Sequence, residues 1–362
     1  MKTNTLFNNF LKASLLVFVL AFSACTEDDG SKFTPGQDGF FIVNEGAWGN
    51  ANTSLSYFDK ATLTVTNNLF ETNTGRPLGD QAQSMTVFND LGYIVVQNSS
   101  KLEVISTLDY SSVATISEGL SSPTYFLGIS ANKGYVSDWG PDGVTSSIKI
   151  IDLTTNTITD SISTGAGTNQ MVLVDNMVYA ANSGGWGYDN TVVVIDTETD
   201  EIIKTIEVGD NPSTLAVDKN ENVWVTGNGL TDYVNAENST PAFLAKIDSE
   251  NNTVELKINA PETGIGPSRL NIDSEGKTLV FKYKSGISTA PIEVTSVSDF
   301  TEIIAADQFT SLYGFGIDKS ENHIIAGDAP DFTNPGSIKR YELNGTFIDQ
   351  YTVGIGPNGI AY

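Results

Sequence analysis

One cysteine and one histidine are all that the 362-residue chain offers of thiol and imidazole chemistry. A single imidazole excludes multi-histidine metal sites, and a single thiol excludes an internal disulfide. His323 sits in the apolar stretch NHIIA (322–326), which reads as a strand carrying a satisfied or edge histidine rather than a ligand. No glycine-rich phosphate loop leads into a helix, and no serine occupies a nucleophile elbow. Basic residues are also scarce: 19 Lys and Arg stand against 44 Asp and Glu, a formal net charge of −25. Such a surface repels phosphate backbones and anionic headgroups, so nucleic-acid and membrane-surface binding are poor readings. Of the catalytic chemistries, only a carboxylate-dependent hydrolase or lyase stays open. The expectation is a non-enzyme with no catalytic residue, no metal ligand and no cofactor.

Long apolar runs are confined to the start of the chain. Lys2 and Lys12 lead into LLVFVLAF (15–22), too short to span a bilayer, so residues 1–24 read as a signal peptide that is removed. FSAC (22–25) resembles the lipobox of bacterial lipoproteins, with Phe22 where Leu is usual, and makes Cys25 the expected lipid acceptor. Glu27, Asp28 and Asp29 resemble the acidic export signal that takes Bacteroidetes lipoproteins to the cell surface. Residues 25–38 are thus expected to be an acidic flexible tether on the outer membrane, facing the exterior. Losing Lys2 and Lys12 takes the charge from −25 to −27.

Beyond the tether the pattern is of short alternating strands separated by Gly, Pro, Asn and Asp turns, with almost no helical period. A repeat organises them. GDNPSTLAVD (209–218) recurs as GIGPSRLNID (264–273) and as GIGPNGIAY (354–362), with Pro123, Pro212, Pro267 and Pro357 in one register. The prolines lie 89, 55 and 90 residues apart, which is two repeats, one long repeat and two repeats of about 45, the size of a four-stranded propeller blade. Weaker copies at 83–88, 170–174 and 312–317 bring the innermost strands to seven. FFIV (40–43) is a second strand without a first, and IAY (360–362) a first without a second. Residues 39–362 are therefore expected to form an all-β, seven-bladed β-propeller closed by the C-terminal strand, because an open array leaves two unpaired sheet edges.

Candidate binding residues lie after the second strand of each blade: Asn44, Trp48 and Asn50 in NEGAWGN, Asp138 and Trp139 in SDWGPD, Asn182, Trp186 and Tyr188 in ANSGGWGYDN. Tyr233, Tyr283 and Phe332 hold comparable places in blades five to seven, whereas Trp224 falls within a strand, where packing is its natural role. Loops after second strands share a face with the connections between blades, so aromatics and Gly-rich turns share a rim. The recurrent Asp-rich turns between first and second strands read as turn chemistry rather than calcium loops. One aromatic burying roughly 150–250 Å² contributes at most about 4–6 kcal/mol, while association costs roughly 4–15 kcal/mol. Several aromatics must act together, which favours a broad ligand over a small metabolite.

FFIVNEGAWGNANTSLSYFD (40–59), SDWG (137–140) and ANSGGWGYDNTVVVID (181–196) resemble the YncE-like propeller lipoproteins of Bacteroidetes, and within them the cobalamin-binding surface lipoproteins of BtuG type. The likeness covers about residues 39–362. It implies capture of cobalamin or another corrinoid at the cell surface and transfer to a TonB-dependent outer-membrane transporter of BtuB type. The alternative is a propeller module that docks a protein or a glycan on the same face.

Overall fold

In a computed structural model, residues 39–362 are described; the segments expected to be a signal peptide (1–24) and a tether (25–38), with Cys25, lie outside them. The described residues form seven four-stranded antiparallel sheets arranged as the blades of a propeller. The innermost strands are Pro357–Ala361, Ala82–Phe88, Pro123–Ser130, Thr168–Val174, Pro212–Val217, Ser268–Ile272 and Leu312–Asp318, for blades one to seven. Pro123, Pro212 and Pro357 each open their strand, where the missing N–H disturbs no ladder, and Pro267 stands one residue before. Blade one is completed from the far end of the chain: Pro357–Ala361 pairs with Gly39–Asn44, in the register Phe41–Ala361, Ile42–Ile360 and Val43–Gly359. The expected closure is thus what the chain adopts.

Burial explains why the strands differ. GFFIVN (Gly39–Asn44) is buried at every position, because second strands are covered on both faces by neighbouring blades. Outer strands such as Thr253–Asn259 alternate between exposed and covered residues. The apolar interior is a series of wedges between blades. One wedge joins blades one and seven through Phe40, Ile42, Phe58, Ile325 and Ile338, and another joins blades five and six through Trp224, Leu244 and Leu270. Trp224 is a core residue, its indole N–H donating to Asp218 at 2.9 Å. The chain also forms a short helix, Leu69–Thr74, which the strand-dominated pattern does not announce; it buries Leu69 and Phe70 over the first blade junction.

The Asp-rich turns use their carboxylates internally. Asp218 accepts the backbone N–H groups of Asn220 and Asn222, Asp273 those of Lys277 and Thr278, and Asp318 that of Ser320. These are Asx-type turns joining first to second strands. His323 opens the second strand of blade seven, paired on both sides with Asp318 and Glu342, with Nδ1 3.2 Å from Glu321.

Candidate functional site

Loops after second strands and connections between blades meet on one face, held by backbone hydrogen bonds. The amides of Gly46, Trp139, Ser183, Asn228 and Ala329, at the starts of the loops, donate to Ile355, Ser122, Gly167, Asn211 and Ser311 in the connections. Trp48 and Trp186 are 65% and 69% exposed on this face, and Tyr233 is 94% exposed at a loop tip. Tyr188 and Phe332 are also exposed. Val144 and Val234 belong to the same loops, and Ile265 to the connection between blades five and six. Eight of the thirteen exposed large hydrophobic side chains among the described residues therefore sit on one face.

Trp186, Tyr188 and Phe332 are seated against neighbouring loops. The Trp186 ring lies across blade three's loop: a Cβ on Gly143, whose φ is +71°, meets it at 2.5 Å, so only glycine fits beneath. The Tyr188 hydroxyl donates to Asp210 at 2.5 Å, a contact that, ahead of burial, pushes its pKa up to about 12. Asp210 also accepts from Thr240 in the loop bearing Tyr233, tying blades four and five together. Phe332 meets Tyr313 edge-on at 4.7 Å, beside Gly356 and Glu45. Asn50 is exposed and donates to the Trp48 carbonyl.

Other expected site residues are placed inside. Asn44, Asp138 and Asn182 end their second strands fully or almost fully buried, so the expected polar fringe is not theirs to provide. Asp138 accepts the backbone N–H groups of Ser121, Ser122 and Gly140, and Asp328 does the same for Thr310 and Ser311 in blade seven. Asn44 donates to Ser56, and Asn182 bonds Thr168 and Thr191. Trp139 is half-buried with its indole nitrogen covered and unpaired. Tyr283 is not in a loop: it ends a strand, buried against Phe300, and a two-residue turn, Lys284 and Ser285, follows directly. Both turn residues have positive φ, the geometry of a primed hairpin turn, so blade six lacks the long loop of its neighbours.

Sequence reasoning missed a second tier. Every innermost strand carries a register shift just after its start, which leaves Gln83, Tyr125, Gln170, Ser213, Arg269, Tyr313 and Asn358 in bulged segments. Bulges re-aim side chains, and these stand around the mouth of the central channel, a cavity of about 260 Å³ lined among others by Gln83, Tyr125, Gln170, Arg269 and Asn358. Glu45 lies beside it, accepting from the Tyr313 hydroxyl and, at 3.0 Å, from the Gln83 amide. Burial raises the Glu45 pKa against these bonds and the field of Arg269, and raises that of Tyr313 together with Glu45. No Asp or Glu lines the cavity. The sequence signal at these positions is weak, since the one or two residues after the repeated proline vary from blade to blade and three blades lack the proline.

A seven-bladed propeller with an apolar-studded loop face and a polar channel mouth defines a propeller module. The chain belongs to the family described as domain of unknown function DUF5074, whose profile matches residues 38–346. No curated protein matches the sequence. Among solved structures it is similar to a quinonprotein alcohol dehydrogenase-like protein of Bacteroides thetaiotaomicron, with 15% identity over 90% of this chain and 78% of the other, TM-score 0.67. Hydrazine synthase of Kuenenia stuttgartiensis is similar at 12% identity over 80% and 89%, TM-score 0.65. A functionally unknown protein of Desulfotomaculum acetoxidans is similar at 14% over 90% and 98%, TM-score 0.63. At these identities the likeness concerns the fold alone.

Proposed function

We propose that this protein is a non-catalytic, lipid-anchored binding protein of the outer-membrane surface. It captures cobalamin or a related corrinoid on the loop face and passes it to a TonB-dependent transporter of BtuB type. The observation that supports binding is the gathering of eight exposed apolar side chains on one face; the resemblance in residues 40–59, 137–140 and 181–196 supports the corrinoid. A corrinoid is a broad apolar ring fringed by amides. Trp48, Trp186 and Tyr233 would cover the ring, and the amides of Gln83, Gln170 and Asn358 at the channel mouth would answer its edge.

Calorimetric titration of the propeller with cyanocobalamin tests this. Wild type binds at micromolar protein with weak dependence on salt, since the ligand is largely neutral. Trp48→Ala and Trp186→Ala each weaken binding about tenfold or more, or roughly 1.4 kcal/mol, whereas Phe347→Ala on an outer strand leaves it unchanged. No wild-type binding sinks the corrinoid assignment, and a protein or glycan retained through the same tryptophans would make the face a docking module. Unchanged affinity in both Trp variants moves the site elsewhere.

Anchoring is tested separately. Cys25→Ala protein leaves the membrane fraction, and replacing Glu27, Asp28 and Asp29 by Ala lowers protease accessibility on whole cells. Membrane-bound Cys25→Ala protein would refute the anchor.

A further inference from the structure

Two partly buried cations, Arg269 and Lys282, stand together at the channel mouth. Arg269 stands in the bulge of blade six with φ +55°, a region sparsely populated by residues with side chains and one that clusters at functional sites. Its Nη1 donates to the Asn358 side chain at 2.5 Å, and its guanidinium lies 5.3 Å over the Tyr313 ring. Its Nε and Nη2 donate to no protein acceptor among the described residues. Lys282 is the cross-strand partner of Ser268, one residue from Arg269, and its ammonium donates to the Leu312 carbonyl at 2.7 Å, leaving two protons free.

Neither residue takes part in any of the ten ion pairs among the described residues. Glu45, the carboxylate whose field reaches Arg269, directs its oxygens to Tyr313 and Gln83. Burial, and then Arg269, hold the Lys282 pKa below its ordinary value. Two partly buried like charges destabilise each other unless an anion joins them.

Space for that anion exists. Because blade six has only the Lys284–Ser285 turn, the rim opens there into a notch of about 450 Å³ lined by Gly264, Gly266, Ser268, Lys282 and Lys284, with Glu262 the one carboxylate in its lining. Ser268 and Lys282 line the notch, Arg269 next to Ser268 lines the channel cavity, and the Arg269 charge acts on Lys282.

We propose that the channel mouth between Arg269 and Lys282 is a subsite for an oxyanion, the carboxylate or phosphate group of a ligand that enters through the blade-six notch. Arg269 offers its free Nε and Nη2 as a planar fork suited to two oxygens, and Lys282 offers a point charge from the rim side. The subsite is independent of the corrinoid reading, because it requires only an oxyanion.

The test is calorimetric titration of the soluble propeller with inorganic phosphate and, separately, citrate, with sodium chloride holding ionic strength constant. At least one anion binds at about 10 mM or below, and Arg269→Gln and Lys282→Met each weaken it about tenfold or more. Binding of both anions means a general oxyanion site, while binding of citrate or phosphate alone names the group. Circular dichroism checks the fold of each variant; should Arg269→Gln fail to fold, Lys282→Met decides. The proposal is overturned if neither anion binds wild type beyond the chloride control, or if the folded variants bind with wild-type affinity.

Discussion

A chain lacking residues 355–362 melts without cooperativity or aggregates. The truncation removes the strand Pro357–Ala361 and strips Gly39–Asn44 of one ladder partner. It also withdraws Ala361, Ile360 and Tyr362 from the two wedges that flank blade one, including the Phe40–Tyr362 ring contact at 6.0 Å. Two partly buried large side chains and one buried methyl contribute roughly 3 kcal/mol, and the lost ladder bonds to Gly39–Asn44 add about 1 kcal/mol each. That rivals a domain's whole margin of about 5–15 kcal/mol, and the exposed edges pair with other chains. Differential scanning calorimetry with light scattering reads the outcome; a truncated chain that melts like the full one would falsify closure as the source of stability.

Glu103→Ala should be the most damaging single substitution outside the apolar wedges, costing about 3–5 kcal/mol. Glu103 is 0% exposed, in the third strand of blade two, and its carboxylate holds a two-pronged bond from Arg76 at 2.6 and 2.8 Å. Lys101 donates at 2.6 Å and Thr115 at 2.7 Å. Removing the carboxylate leaves two cations facing each other over a buried site. Burial alone raises the Glu103 pKa, but the bonds from Arg76, Lys101 and Thr115 outweigh it and hold the pKa below the usual 4.5. A depressed folded-state pKa means that this stabilisation is complete above pH 4.5 and is lost as pH falls through the depressed value. Urea unfolding at neutral and acid pH therefore shows a smaller acid-induced loss in Glu103→Gln than in wild type. Equal losses in the two would show that Glu103 carries no part of the acid sensitivity.

The fold was legible because each blade repeats one solution. A proline at or near the start of several innermost strands, an Asx turn, a second strand with a buried apolar centre and an outer strand that alternates are local patterns, and every one has a local cause in hydrogen bonding or burial. Counting them gave seven blades, and the two incomplete ends, FFIV and IAY, could satisfy their edges only against each other. The helix Leu69–Thr74 escaped because six residues are too few to show a helical period.

The candidate site was half legible. Trp48, Trp186, Tyr188, Tyr233 and Phe332 announced themselves as large apolar residues among Gly and Asn, and the structure exposes them. Asn44, Asp138 and Asn182 looked the same in sequence, yet a strand-end carboxylate or amide reaches the amides of the adjoining connection before it reaches solvent. Tyr283 was placed in a loop by analogy with other blades, but blade six turns in two residues, and nothing short of the strand pairing shows that.

By itself, then, the sequence determined the repeat, the number of blades, their strand order and the face on which the variable loops lie, since all of these follow from short-range patterning and the need to pair every edge. Only the tertiary structure decided which polar residues are spent on the scaffold and which remain free. Arg269 is the sharpest case: its neighbours in sequence mark only the start of a strand, while Lys282, Tyr313, Asn358 and Glu45 come to it from other strands and blades. Arg269 and Glu45, 224 positions apart in the chain, acquire an energy of interaction only when the ring closes and brings them to one mouth.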